Sequence, residues 1–324
     1  MMSEFLPANA LSDAQKTLSR LREVMRSRIK GKEDVIDQAL ICLAAGGHVL
    51  IEDLPGVGKT TLAYCLAKAM GTDFKRIQFT SDLLPTDVTG VSIYDERDRS
   101  FHFKPGPIFS NVVLADEINR ATPKTQSCLL EVMDHGKVSI DGETYEVGTP
   151  FMVIATQNPV DYEGTFPLPE SQMDRFLMRL QMGYPSPESE LEILASGHPS
   201  YDEFEVPDVI EEEEIIAVQR TVSKVFVEQS VLEYMLKLIT ATRTESEFKA
   251  GVSVRGSIAL KTASQARALY HGRDFVMPDD VFAVAPAVMV HRLNLRRSSS
   301  DAMEERRMVE GILSRLLAAV EQPK

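Results

Sequence analysis

Nine consecutive residues, Asp53-Leu54-Pro55-Gly56-Val57-Gly58-Lys59-Thr60-Thr61, constrain this chain more than any others. An apolar run, Val49-Leu50-Ile51, precedes them, and a helix-like pattern from Leu62 to Ala69 follows. Strand, glycine loop and helix in that order build a phosphate cradle. The glycines let backbone N–H groups converge on a polyphosphate, and the helix N-terminus adds the positive end of its dipole. Lys59 is placed to reach the β- and γ-phosphates and the Thr60 hydroxyl to ligate Mg²⁺. Asp53, Pro55, Gly56, Val57, Gly58, Lys59, Thr60 and Thr61 are therefore the candidate contacts to a nucleoside triphosphate. A ligand-free glycine turn is the plainer alternative, but the Gly-Lys-Thr-Thr core directly after a strand counts against it. One departure stands out. The general pattern G-x-x-x-x-G-K-[ST] begins with glycine where this chain has Asp53, itself preceded by Glu52. Two carboxylates beside a phosphate site are unfavourable unless they point away.

Short apolar or β-branched runs alternate with helical stretches through the first half: Val49–Ile51, Arg76–Phe79, Val112–Ala115, Phe151–Ala155 and Leu177–Leu180 read as strands. Such alternation implies an α/β domain with a mainly parallel sheet, whose ligands bind at the C-terminal strand ends. Two hairpins interrupt it, Val91–Phe103 and Val138–Val147, the second with Asp141-Gly142 at its turn. Helices are expected over Leu18–Ile29 and Asp34–Ala45 before the first strand. Beyond Tyr184-Pro185-Ser186-Pro187 the character changes, and helices dominate near Val231–Thr242, Arg255–His271, Pro278–Leu293 and Asp301–Val320, with Pro286 expected to break or kink the third. This divides the 324 residues into an α/β core, 1–185, and a second, all-helical domain, 186–324.

The apolar strand Val112–Ala115 ends in Asp116-Glu117, which is what a Mg²⁺-dependent NTPase requires opposite its phosphate loop. Asp116 can hold the metal's hydration shell alongside Thr60, and Glu117 can polarise the attacking water. The next strand runs into Thr156-Gln157-Asn158-Pro159, where Asn158 is the candidate to orient that water. An Asn-Pro turn at a strand end is an alternative with the same geometry. Arg175 precedes the last strand and Arg255 begins a helix of the second domain. Each could be an ordinary surface arginine. An arginine facing a γ-phosphate, however, contributes ~10³–10⁵ in rate, and a site with a helical lid has use for one supplied in cis and one in trans.

With these pieces in order, the chain resembles the MoxR family of AAA+ ATPases from about Arg22 to Val320, through DLPGVGKT, LADEINRATPKTQSCLLEVM, ATQNP, ESQMDRF, GVSVRGS and GRDFVMPDDV. The resemblance implies an AAA+ P-loop core with a C-terminal helical lid, ATP and Mg²⁺ as ligands, and a homo-oligomeric ring, often a hexamer. On it, Lys59 and Thr60 are the Walker A contacts, Asp116 and Glu117 the Walker B pair, and Asn158 sensor 1. Arg175 looks like the arginine finger, Arg255 like sensor 2, and Arg120 is a further arginine that could cross a subunit boundary. Lys32, in Ile29-Lys30-Gly31-Lys32, stands where the adenine-side turn often has glutamine. Kinship also implies a chaperone-like remodeller of partner proteins, among them von Willebrand factor A domain proteins or metal-dependent enzymes.

Composition narrows the alternatives. The net charge of −13 opposes nucleic acid as the main partner, and Asp141 and Glu143 at a hairpin tip oppose a DNA motor or loader. A non-catalytic nucleotide switch is the other alternative, against which the full set Glu117, Asn158, Arg175 and Arg255 argues. Cys42, Cys65 and Cys128 have no metal or disulfide spacing and read as small buried hydrophobes of a reducing compartment. No run is apolar enough to span a bilayer and Met1–Leu6 lacks a signal core, so a cytoplasmic location is expected.

Overall fold

The computed structural model describes residues 8–53, 56–157, 164–196, 206–207, 209–297 and 302–323. Helices α1 (Ala8–Arg28) and α2 (Glu33–Ala44) lead into β1 (Val49–Glu52), and α3 (Lys59–Ala69) follows the glycine loop. The core continues through β2 (Phe74–Gln78), α4 (Pro85–Thr89), β3 (Gly90–Asp95), β4 (Ser100–Pro105), β5 (Val112–Asp116), α5 (Pro123–His135), β6 (Lys137–Ile140), β7 (Glu143–Glu146), β8 (Met152–Gln157), α6 (Glu170–Met173) and β9 (Met178–Leu180). The lid comprises α7 (Pro187–Ser196), α8 (Glu212–Val222), α9 (Gln229–Thr244), β10 (Phe248–Ala250), α10 (Val254–Tyr270), α11 (Pro278–Met289), β11 (Asn294–Leu295) and α12 (Ala302–Ala319).

Five strands form one parallel sheet in the order β2-β5-β8-β1-β9. Alternate side chains leave opposite faces of a strand, and the packing follows that rule. Val49, Ile51, Val112, Leu114, Met152 and Ile154 join α1–α3 and the lid helices in one apolar cluster. Leu50, Val113, Ala115, Val153 and Ala155 join α5 in another. The first cluster runs from Ala14 to Leu317 and includes residues on both sides of 185–186, so the lid shares its hydrophobic packing with the core. No helix among the described residues is long and apolar enough to cross a membrane.

Both hairpins form, β3–β4 and β6–β7, and Asp141 and Gly142 both take positive φ, 52° and 87°, as the Asp-Gly turn requires. They dock on each other: Phe103 stacks on Tyr145 at 4.3 Å, and the Ser92 hydroxyl donates to the Asp141 carboxylate at 2.6 Å. Two expectations differ from the structure. Pro286 lies inside α11, which continues to Met289. Val281, Val284, Ala285, Val288 and Met289 are buried around it, and that burial outweighs the one hydrogen bond proline forfeits. The lid also contains a short antiparallel ladder, β10 with β11.

His48 is buried at the start of β1, where its Nε2 lies 3.0 Å from the Met133 carbonyl and its Nδ1 accepts from the Val153 N–H at 3.0 Å. Both bonds fit the neutral ring, and burial pushes its pKa down to about 4. The unfolded chain takes up this proton near pH 6.5 and the folded chain does not, so stability falls as pH drops through 6.5 towards 4. We expect His48 alone to cost about 2 kcal/mol between pH 7 and 5. Urea titrations of the wild type and of His48→Gln at both values read it as the difference between their pH slopes.

Candidate nucleotide site

Parallel pairing brings the C-terminal ends of β1, β8 and β5 side by side, with β8 in the middle. Gly56 and Gly58 have φ of 82° and 93°, a region costly for any side chain, and a Cβ on Gly56 would meet nothing within 4 Å. The loop is thus open above the N-terminus of the eleven-residue α3, whose first turn holds Lys59, Thr60 and Thr61 and no acid. The Lys59 ammonium donates to the Asp53 backbone carbonyl at 3.0 Å. Its pKa is lowered by burial, opposed by the charges of Asp116, Asp53 and Glu117. A partly desolvated cation resting on a neutral carbonyl, at a helix N-terminus with open space, fits a polyphosphate. The hard oxygen donors of Thr60 and Asp116 fit Mg²⁺.

The acidic entrance of the loop resolves physically. Glu52 is buried and neutralised by Arg179 at 2.8 Å and Arg306 at 2.7 Å, and Arg179 also binds Glu310 at 2.7 Å. The Asp53 carboxylate accepts from the Gly183 N–H at 2.5 Å, on the segment that leads into the lid. Each carboxylate thus has partners of its own.

Across the sheet edge, Asp116 is bound by Arg76 at 2.6 Å and by the Thr156 hydroxyl at 2.6 Å. That same hydroxyl accepts from the Glu117 N–H at 2.8 Å. Glu117 has φ 56°, a left-handed conformation uncommon for a non-glycine residue and often found at reacting centres. Its carboxylate is held by Arg120 at 3.0 Å and by Gln78 at 3.1 Å. Arg120 thus binds Glu117 of its own chain. Thr156, Arg76 and Gln78 were not singled out by sequence. The available signal was register: Gln78 pairs with Asp116 across β2 and β5, and Arg76 shares its strand face. Asn158 and Pro55 lie outside the described residues.

The two arginines expected to serve the γ-phosphate are brought together. Arg175 pairs with Asp134 at 2.6 Å and donates to the Leu130 carbonyl, and Arg255 reaches the other oxygen of Asp134 at 3.3 Å. The Arg175 Nε–H is buried without a partner among the described residues. Asp134, at the end of α5, was not anticipated. Lys32, at the place where the adenine-side turn often has glutamine, donates to the carbonyls of Met182, Gly183 and Tyr184 at 2.5, 2.9 and 2.7 Å.

Comparison with known proteins agrees with this geometry. Residues 48–178 match the ATPase family associated with various cellular activities (AAA), and residues 240–312 match the AAA lid domain. The chain is 49% identical over 311 residues to the uncharacterized protein YeaC of Bacillus subtilis, covering 96% of each. It is 38% identical over 326 residues to Chaperone MoxR1 of Mycobacterium tuberculosis, covering 98% of this chain and 85% of that one. A crystal structure of a provisionally assigned ATPase from Cytophaga hutchinsonii superposes with a TM-score of 0.83 at 36% identity, covering 94% of this chain and 96% of that one. A phosphate loop, an Asp-Glu strand end and a helical lid in this order, with relatives of this identity along nearly the whole length, place the chain in the MoxR family of AAA+ ATPases.

Proposed function

We propose that the chain hydrolyses Mg²⁺-bound ATP at a site shared by two copies in a ring, and uses the cycle to remodel a client protein. The observation that carries the shared site is the pairing of Arg175 and Arg255 on one carboxylate, Asp134. Among the described residues neither arginine contacts the side chains of its own phosphate loop. Both therefore act from one subunit on the triphosphate of its neighbour, a head-to-tail arrangement that closes into a ring.

Lys59, Thr60, Thr61 and the loop backbone bind the triphosphate. Thr60 and Asp116 would hold Mg²⁺, which would supply charge neutralisation to the triphosphate. Glu117 accepts a proton from the attacking water while Thr156 holds its backbone, and Asn158 orients that water. Arg175 and Arg255 of the adjoining copy exchange Asp134 for the charge developing on the γ-phosphate.

Client work falls to the hairpins. Val91, Ile93, Tyr94 and Phe101 are exposed on β3 and β4, with Phe101 at 72%. Apolar groups of this kind suit a protein surface, with von Willebrand factor A domain proteins or metal-dependent enzymes as the candidate clients. The exposed Asp141 and Glu143 beside them repel nucleic acid backbone. The test is turnover and assembly measured together, by phosphate release and light scattering. We expect hydrolysis that requires Mg²⁺ and rises with protein concentration as rings assemble. Full turnover by a species that stays monomeric throughout contradicts the shared site.

A further inference from the structure

Asp53 sits at a junction that neither the phosphate loop nor the family assignment explains. Its backbone N–H donates to the Gln157 carbonyl at 3.3 Å, where β1 meets β8. Its backbone carbonyl accepts from the Lys59 ammonium at 3.0 Å. Its carboxylate accepts from the Gly183 N–H at 2.5 Å, 130 residues away. Gly183 has φ 61° and belongs to Met182-Gly183-Tyr184, the connection between β9 and the first lid helix, α7. Lys32, buried, holds the same three residues by their carbonyls. The connection is therefore gripped from both sides of its backbone, its carbonyls by Lys32 and its one glycine N–H by Asp53, whose own carbonyl takes Lys59.

We infer that Asp53 is a positioning residue that latches the core–lid hinge while the phosphate loop is empty and releases it when a triphosphate takes Lys59. This rests on the ATPase reading for its trigger, though not for the latch itself. Lys59 rests on the Asp53 backbone carbonyl while the Asp53 carboxylate holds Gly183. A bound triphosphate recruits the Lys59 ammonium and so removes the cation from the Asp53 carbonyl. It also sets like charge beside the Asp53 carboxylate. Both changes weaken the hold on Gly183. Lys32 keeps its three carbonyls, so the segment turns about that anchor and does not come loose. Glycine at position 53, as the general phosphate-loop pattern has it, carries no such carboxylate. The acid that looks misplaced in sequence is, on this account, the link between phosphate and lid.

Two substitutions separate the hydrogen bond from the charge. Asp53→Asn keeps an oxygen acceptor for the Gly183 N–H and loses the charge, whereas Asp53→Gly loses both. Hydrogen exchange of the Gly183 amide in the full chain without nucleotide reads the latch directly. We expect roughly tenfold or faster exchange in Asp53→Gly, the loss of a hydrogen bond to a charged group, and slow exchange in Asp53→Asn. Equal protection of Gly183 in Asp53→Gly and the wild type, with both folded by urea midpoint, overturns the latch. Adding a non-hydrolysable ATP analogue should speed Gly183 exchange in the wild type and leave Asp53→Gly unmoved. Asp53→Asn should also bind the analogue more tightly, by roughly threefold to tenfold for one like charge removed. Calorimetric binding of the analogue with no change at Gly183 overturns the release while leaving the ATPase reading intact. Absence of any binding overturns that reading and the release together, and the comparison of empty proteins still decides the latch.

Discussion

Glu117→Gln is expected to lower ATP turnover by about 10²–10⁴ while leaving ATP binding in place. The amide keeps the shape and the contacts that do not need charge, including acceptance from the Gln78 amide, seen at 3.1 Å for the carboxylate. It cannot take a proton from water. The backbone placing the group is unaffected, because the left-handed turn at φ 56° is fixed by the Glu117 N–H on the Thr156 hydroxyl and not by the carboxylate. The loss amounts to about 3–5 kcal/mol of barrier, larger than a neutral hydrogen bond and of the size of a general base. Phosphate release gives the rate and calorimetry the affinity. Unchanged steady-state turnover removes Glu117 from the reaction. The stalled form is also the useful one for capturing a client, since it holds ATP without consuming it.

Arg175→Ala is expected to lower turnover by ~10³ or more, with Arg255→Ala acting in the same direction. The structure adds a reason to choose Arg175 first. Its Nε–H is buried with no acceptor among the described residues, and a polar group left unpaired carries a deficit of about 1–3 kcal/mol. A neighbour's phosphate oxygens would supply the missing acceptor. Because Arg175 also holds Asp134 and the Leu130 carbonyl, its removal has a structural cost that must be measured apart from the rate. Urea midpoints of Arg175→Ala and Arg255→Ala provide that measurement. A rate loss no greater than the fraction of unfolded protein contradicts a role in the reaction.

Much of the architecture was legible because it rests on local rules. The five sheet strands were readable from short apolar runs, and the structure orders them so that Lys59, Asp116 and Glu117 approach one another. The β6–β7 turn followed from Asp141-Gly142, whose φ values that dipeptide favours. What escaped was set by contacts distant in sequence. The pointing of Glu52 depends on Arg179 and Arg306, and that of Asp53 on Gly183. The joining of Arg175 and Arg255 depends on Asp134, from a third element. The partners of Lys32, three backbone carbonyls of residues 182–184, likewise lie about 150 residues away in the chain. Pro286 was read by its local penalty, and the buried face of α11 overrides it.

The central claim is that one triphosphate is held between two copies of this chain, with Lys59 from one and Arg175 from the other. The most direct measurement mixes Arg175→Ala with Lys59→Ala, each inactive alone, and follows phosphate release across mixing ratios. A mixed ring contains interfaces that pair an intact phosphate loop with an intact arginine, so the account predicts turnover that appears on mixing and peaks near equal proportions. If the two variants co-assemble, as judged by light scattering and a tag on one of them, and no ratio restores turnover, the shared site is contradicted.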